Sequence, residues 1–204
     1  YFSDGISEDI ITDLSKVSAL AVVSRNTAFT FKGKNVDLPQ VARQLKVNYV
    51  LEGSVRRAGG RVRITAQLIE ASSDNHLWAE RYDRDLNDIF ALQDEISKAI
   101  VAALKLTLLP EEKQALEQRS TTNAQAYNLY LMARQRYATG QMSDSRRSDT
   151  VIRLCRGAIE LDPNYARAWA LMATAQRHRM YATGKGDNGS AAAARAIELD
   201  ANLA

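Results

Sequence analysis

The strongest constraint in this sequence is a motif that occurs twice. Ala158-Ile-Glu-Leu-Asp-Pro-Asn-Tyr-Ala-Arg-Ala-Trp169 reads as the end of one helix, a tight stop and the start of another. Ala158, Ile159 and Leu161 give the first helix an apolar side. Pro163 ends it, because proline lacks the amide hydrogen and pushes the residue before it out of helical conformation. Ala168 and Trp169 open the next apolar stripe. Ala196-Ile-Glu-Leu-Asp-Ala-Asn202 restates the motif 38 residues later. A helical unit recurring at such a period buries its apolar face against copies of itself, so this part of the chain must be a stacked helical array.

The rest of the second half fits that frame. Pro110-Glu-Glu112 starts a helix, and residues 115–122 bridge into the array. Ala126, Tyr127, Tyr130, Leu131, Ala133 and Tyr137 recur at helical spacing. Tyr127 and Trp169, 42 residues apart, each stand near the start of such a stripe. The partner helix is expected over 149–161, with Val151, Leu154, Cys155, Ala158 and Ile159 inward. Gly140 to Arg147 is the place for an insertion between the two helices. Gly184 to Gly189 supplies the next turn, and residues 191–199 the returning helix.

The first half has a different pattern. Ile6, Ile10, Ile11, Leu14 and Val17 mark a helix whose start carries Ser3, Asp4, Glu8 and Asp9, suited to capping and to the positive end of the helix dipole. Leu20–Val23 reads as a short buried strand, and residues 24–34 as a polar connection. Asp37 and Pro39 open a helix with Val41, Ala42 and Leu45 inward. Strands are expected at 47–55, 61–68 and 76–82, the first two joined by the glycine pair of Arg57-Ala-Gly-Gly-Arg61. Val62, Ile64, Ala66 and Leu68 alternate with Arg61, Arg63, Thr65 and Gln67, so one face of the middle strand is buried and the other is wet. A helix from about Asp88 to Leu106 is apolar enough to cover that sheet. The expected fold is an α+β domain, an antiparallel meander covered by helices, followed by an all-α repeat region. The expected boundaries are 1–108 for the α+β domain, 109–122 for a helical linker and 123–204 for the repeats.

Composition narrows the chemistry. The 204 residues carry a net charge of +3, and up to Leu108 the 14 basic and 14 acidic side chains cancel. That balance argues against direct nucleic-acid binding. The single cysteine, Cys155, excludes an internal disulfide and reads as a buried thiol. No apolar run is long enough to span a bilayer. The chain has no signal peptide and no initiating methionine, so a piece of a longer protein is expected, located in the cytoplasm. Its first strand would precede Tyr1, and its repeats would continue past Ala204.

Candidate chemical sites are few. His76 and His178 lie about a hundred residues apart, and His76 reads as a surface or packing residue. Lys32-Gly-Lys34 lacks the glycine spacing of a phosphate loop. No Gly-x-Ser-x-Gly occurs. Asp83, Asp85 and Asp88 lack the glycine and terminal glutamate of a calcium loop, and capping of the next helix accounts for them. Arg56, Arg57, Arg61 and Arg63 cluster on one hairpin, where solubility is the ordinary reading and an acidic partner the alternative. Arg134, Arg136, Arg146, Arg147, Arg153 and Arg156 tilt the first repeat basic, with Asp144 and Asp149 in opposition. A binding face is the reading given to that group. No catalytic, cofactor-binding or metal-ligating residues are assigned.

Two resemblances give these readings a context. The repeat-defining residues Tyr127, Ala158, Pro163, Trp169 and Ala196 resemble the tetratricopeptide repeat, a partner-binding unit. Its 34-residue period implies about four inserted residues in one repeat and eight in the other. In the first half, Tyr1-Phe-Ser-Asp-Gly-Ile-Ser-Glu-Asp-Ile-Ile11, Ser24-Arg-Asn-Thr27, Phe31-Lys-Gly-Lys34, Tyr49-Val-Leu-Glu-Gly-Ser-Val-Arg56, Ile64-Thr-Ala-Gln-Leu-Ile-Glu-Ala71 and Leu77-Trp-Ala-Glu-Arg-Tyr-Asp-Arg84 resemble the TolB amino-terminal-like (FlgO-type) module. That resemblance covers nearly all of residues 1–108. It implies a bacterial regulatory scaffold, often joined to an adenylate/guanylate cyclase or a winged-helix DNA-binding domain. The expected role is a non-catalytic regulatory region that binds a protein partner or itself. The alternative is a sensor of a small ligand or nucleotide that controls an attached effector.

Overall fold

In a computed structural model, which describes residues 2–34, 36–117, 119–139 and 145–201, the chain divides into two compact units. One is Ser3–Gln118; the other is Arg119–Ala204 together with Tyr1–Phe2. The first holds helices α1 (Phe2–Leu14), α2 (Arg25–Phe29) and α3 (Leu38–Leu45), strands β1 (Tyr49–Ala58), β2 (Arg61–Glu70) and β3 (Asn75–Asp85), then α4 (Ile89–Ala103) and α5 (Pro110–Glu117). The second holds α6 (Ala124–Ala138), α7 (Ser145–Leu161), α8 (Ala166–Thr183) and α9 (Ser190–Leu199). The α+β domain followed by a helical region is therefore the architecture of this chain.

The three strands form an antiparallel sheet in the order β1-β2-β3. Alternation along β2 decides how it is covered. Val62, Ile64, Ala66 and Leu68 are buried on one face, while Arg61 and Arg63 are exposed on the other. The pairing of β1 with β2 runs unbroken from Tyr49 opposite Glu70 to Ala58 opposite Arg61. Between β2 and β3 the register shifts at Leu68/Ile69, which leaves Leu77 outside the pairing as a bulge. Gly53 is required in β1, because a Cβ there would stand 2.5 Å from the Thr65 carbonyl oxygen.

α4 packs on β2 and β3 through Ile89, Leu92, Ile96 and Ile100, all buried at the i, i+3, i+4 spacing of an amphipathic helix. α1 buries Ile6, Ile10 and Leu14 on its own stripe and is tied to α4 by a 3.1 Å hydrogen bond from Gln93 Nε2 to Asp9 Oδ2. α3 starts on Asp37, whose side chain accepts from the Gln40 amide, and ends at Lys46 in a left-handed conformation.

Several local expectations need correcting. Leu20–Val23 joins no ladder: among the described residues no strand pairs with it, and its side chains are at most half-buried. The polar connection after it contains α2, started by Ser24, whose hydroxyl accepts from the Thr27 amide. β3 extends three residues past Tyr82 to Asp85. α7 begins at Ser145, not at Asp149. The insertion expected at 140–147 falls partly on residues 140–144, outside the described residues.

Within the stretch expected as a helical linker, 109–122, residues 110–117 form α5 in the first unit, and residues 119–122 belong to the second. The buried Glu112 carboxylate accepts from the Ser18 amide at 2.7 Å and the Leu109 amide at 2.8 Å, while Lys16 Nζ donates to the Ala115 carbonyl. These two backbone amides hold the Glu112 carboxyl below the usual carboxylate range.

Candidate interaction surface

The helical unit is two antiparallel helix pairs, α6 with α7 and α8 with α9, in which α8 also packs on both members of the first pair. Alanines set the spacing. Ala133, Ala158, Ala168 and Ala175 are fully buried, and Val151, Ile152, Cys155 and Met172 fill the space between them. Gly189 starts α9 at φ +82°, where a Cβ would stand 2.2 Å from the Ala173 carbonyl oxygen, so only glycine admits this approach of α9 to α8. Cys155 lies in this core, and burial pushes its thiol up to about 12, which makes it an inert packing group at neutral pH.

The turn between α7 and α8 is locked to the start of α6. Asn123 caps α6 by accepting from the Gln125 and Ala126 amides at 3.0 Å, and its own amide group donates to the Leu161 carbonyl. Thr121 Oγ1 donates to Asp162 Oδ2 at 2.6 Å. Of the repeat-defining residues, Tyr127, Ala158 and Ala196 are buried. Pro163 is exposed in the turn, and its carbonyl accepts from Trp169 Nε1 at 2.9 Å. Sequence reasoning missed Tyr165, which is fully buried with its ring 5.1 Å from that of Tyr130. Its place directly after the Asp162-Pro163-Asn164 stop was the available signal.

The six arginines assigned to a binding face do not share one surface. Arg146, Arg153 and Arg156 are exposed on α7, and intervals of seven and three residues put them on the side opposite Val151, Cys155 and Ala158. Asp149 and Glu160 lie on the same stripe, and Asp149 accepts from Arg179 Nε of α8 at 2.9 Å. Arg136 is exposed on α6. Arg134 lies 5.7 Å over the Tyr130 ring and is half-buried. Arg147 is buried, 5.2 Å over Tyr137, a ring that also stacks on His178 at 5.6 Å. Burial, Arg177 and Arg147 together lower the His178 pKa. Arg134 and Arg147 thus serve packing through cation–π contacts, and the outward basic stripe is Arg146, Arg153 and Arg156.

Between α8 and α9 lies a cleft of about 340 Å³ lined by Ala170, Ala173, Thr174, Arg177, Ala193 and the exposed Ile197. Among the described residues no group of three or more His, Cys, Asp or Glu could hold a metal ion, and no helix is long and apolar enough to cross a membrane.

On the first unit, the aspartates read as helix caps do other work. Asp83 accepts from Arg61 Nε and Nη2 at 3.2 and 2.8 Å, and from Arg63 Nε at 3.0 Å and Nη2. These hydrogen bonds, that from Arg63 foremost, hold its carboxyl below the usual range. Asp88 occupies the N-cap position of α4 without a side-chain cap bond.

With this geometry in place, two likenesses bear on function. The family described as HilA/YgeH-like transcriptional regulator, second domain, matches residues 2–99. A protein of Rhizobium meliloti (strain 1021) named "Putative adenylate cyclase 3" is 49% identical over 170 residues, which are 83% of this chain and 28% of that protein. The chain therefore spans little more than a quarter of the length of that curated relative.

Proposed function

We propose that this chain is a non-catalytic regulatory and protein-interaction region of a bacterial signalling protein, attached to an adenylate or guanylate cyclase. The observation that carries this reading is the 49% identity to a protein named as an adenylate cyclase, over a segment that is only 28% of it. The cyclisation chemistry belongs outside that segment. In this reading Arg119–Ala204 is a tetratricopeptide-like array that offers its basic α7 stripe and its α8–α9 cleft to a protein partner or a second copy. Ser3–Gln118 is a TolB amino-terminal-like module that docks or senses.

The decisive experiment uses the Rhizobium relative. Its matched segment is deleted in one version and replaced by this chain in another, and ATP cyclisation and oligomeric state are measured for both. Deletion is expected to change the rate or the oligomeric state, and the replacement to restore it; the isolated 204-residue chain is expected to turn over no ATP. Unchanged rate and assembly after deletion contradict the proposal.

The match of residues 2–99 to a domain of transcriptional regulators favours a second reading, in which the attached effector is a winged-helix DNA-binding domain. The interaction role of this chain is the same in both, and the readout shifts from cyclisation to promoter binding.

A further inference from the structure

We propose that the open face of the sheet, at its hairpin end, docks an acidic, extended segment of a protein partner. Arg61 and Arg63 of β2 lie on this face, with Arg56 of β1 directly opposite Arg63. On β3, Asp83 stands opposite Arg63, and Arg81 stands opposite Thr65. All four arginines are exposed, and α4 covers only the other face of β2 and β3. Directly opposed like charges such as Arg56 and Arg63 destabilise a sheet. Asp83 offsets this in part by binding Arg61 and Arg63 together, with Asp85 3.8 Å from Arg61. Four arginines against these two aspartates leave the patch positive.

The patch shows how it would read a partner. Both guanidinium groups grip the Asp83 carboxylate through paired Nε and Nη2 donors, the side-on geometry that suits carboxylates. In the next row, beside Arg81, the Ser54 and Thr65 hydroxyls are hydrogen-bonded to each other at 2.7 Å, which leaves one O–H to donate outward. Rows two residues apart along a strand are spaced by about 6.8 Å. Carboxylates on alternate residues of an extended peptide have the same spacing. Charge favours such a segment over a nucleic acid. Ser3–Gln118 holds 15 basic and 17 acidic side chains, a net charge of −2. A long polyanion that gains affinity from each added phosphate meets repulsion beyond the patch, whereas a short acidic strand needs only the patch.

The test is fluorescence anisotropy with the whole 204-residue chain and a labelled decapeptide of alternating glutamate and serine, at low salt. The peptide is expected to bind, and its glutamine–serine counterpart is not. Arg56→Gln with Arg81→Gln should weaken binding about fivefold, the scale of lost surface ion pairs, with no loss of thermal stability. Asp83→Asn should strengthen binding, because it frees two guanidinium edges; a purely structural ion pair predicts no gain. Lys34→Gln with Arg43→Gln, two exposed cations outside the patch, should leave binding as it was. Absent binding, an equal loss in the Lys34/Arg43 variant, or weaker binding in Asp83→Asn overturns the proposal. So does tighter, equally patch-dependent binding of a single-stranded DNA 20-mer, which would make the face a phosphate-binding one.

Discussion

In the sheet unit, α4 lays Ile89, Leu92, Ile96 and Ile100 against β2 and β3. In the helical unit Ala133, Ala158, Ala168, Ala175 and Ala196 are buried among the helices. The difference follows from what each helix meets. A sheet stands about 10 Å from its covering layer and must be reached by large side chains. Helices stacked edge to edge approach closest where the side chains between them are smallest. Charge divides along the same line. Ser3–Gln118 is net −2, whereas residues 119–204 carry 12 basic and 7 acidic side chains, a net of +5. Truncating the α4 isoleucines therefore tests the sheet unit, and enlarging a fully buried alanine tests the helical one.

The largest effect is expected from emptying the sheet core. Ile96→Ala should cost about 4 kcal/mol through lost transfer energy and an unfilled cavity, read as a fall in the urea midpoint of the first unit. A cost below about 1 kcal/mol would show that α4 is not the cover of the sheet. Ala158→Leu makes the opposite change in the array. Overpacking a fully buried alanine should cost about 2 kcal/mol. If leucine were tolerated at 158, the close-packed account of the array would fail.

These two positions also show what was legible in the sequence. The stripe of α4 and the alternation of β2 are strict periodicities, and each predicts its element and its buried face. The repeated Ala-Ile-Glu-Leu-Asp pentads likewise mark α7 and α9 and the turn between α7 and α8. What the periodicities do not carry is partner choice. Leu20–Val23 is apolar enough for a strand, but a strand exists only where another pairs with it. Asp83 is as good a helix cap as Asp88 in sequence, yet its register opposite Arg63 assigns it to the arginines. The basic group of α6 and α7 was visible as composition. Its division into an outward stripe and the aromatic-stacked Arg134 and Arg147 depends on helix phase and on the Tyr130 and Tyr137 rings. Tyr165 belongs to no periodic stripe, and its place after the Asp162-Pro163-Asn164 stop is the one sign of it in the sequence.

A smaller effect sharpens the comparison at the joint of the array. Asn123→Ala removes the α6 cap and its bond to the Leu161 carbonyl, and should cost about 1 kcal/mol, measured on the helical transition alone. Glu112 gives the sheet unit a pH dependence that the cap does not. Its folded pKa lies below its unfolded value, so its contribution is present at neutral pH and is lost as pH falls through the carboxylate range toward the folded pKa. Glu112→Gln should flatten that acid loss in the melting of the first unit. An unchanged acid profile would mean that the α5 tie contributes nothing to stability.

Under the proposed function the helical unit is the recognition arm, with Arg146, Arg153 and Arg156 as its outward basic stripe. The most direct measurement is binding of the 204-residue chain to the remainder of the Rhizobium relative, for wild type and for Arg153→Glu with Arg156→Glu. Association that weakens about tenfold or more on this charge reversal, with an unchanged melting curve, is the predicted result. Association indifferent to the reversal, or none at all, would contradict it.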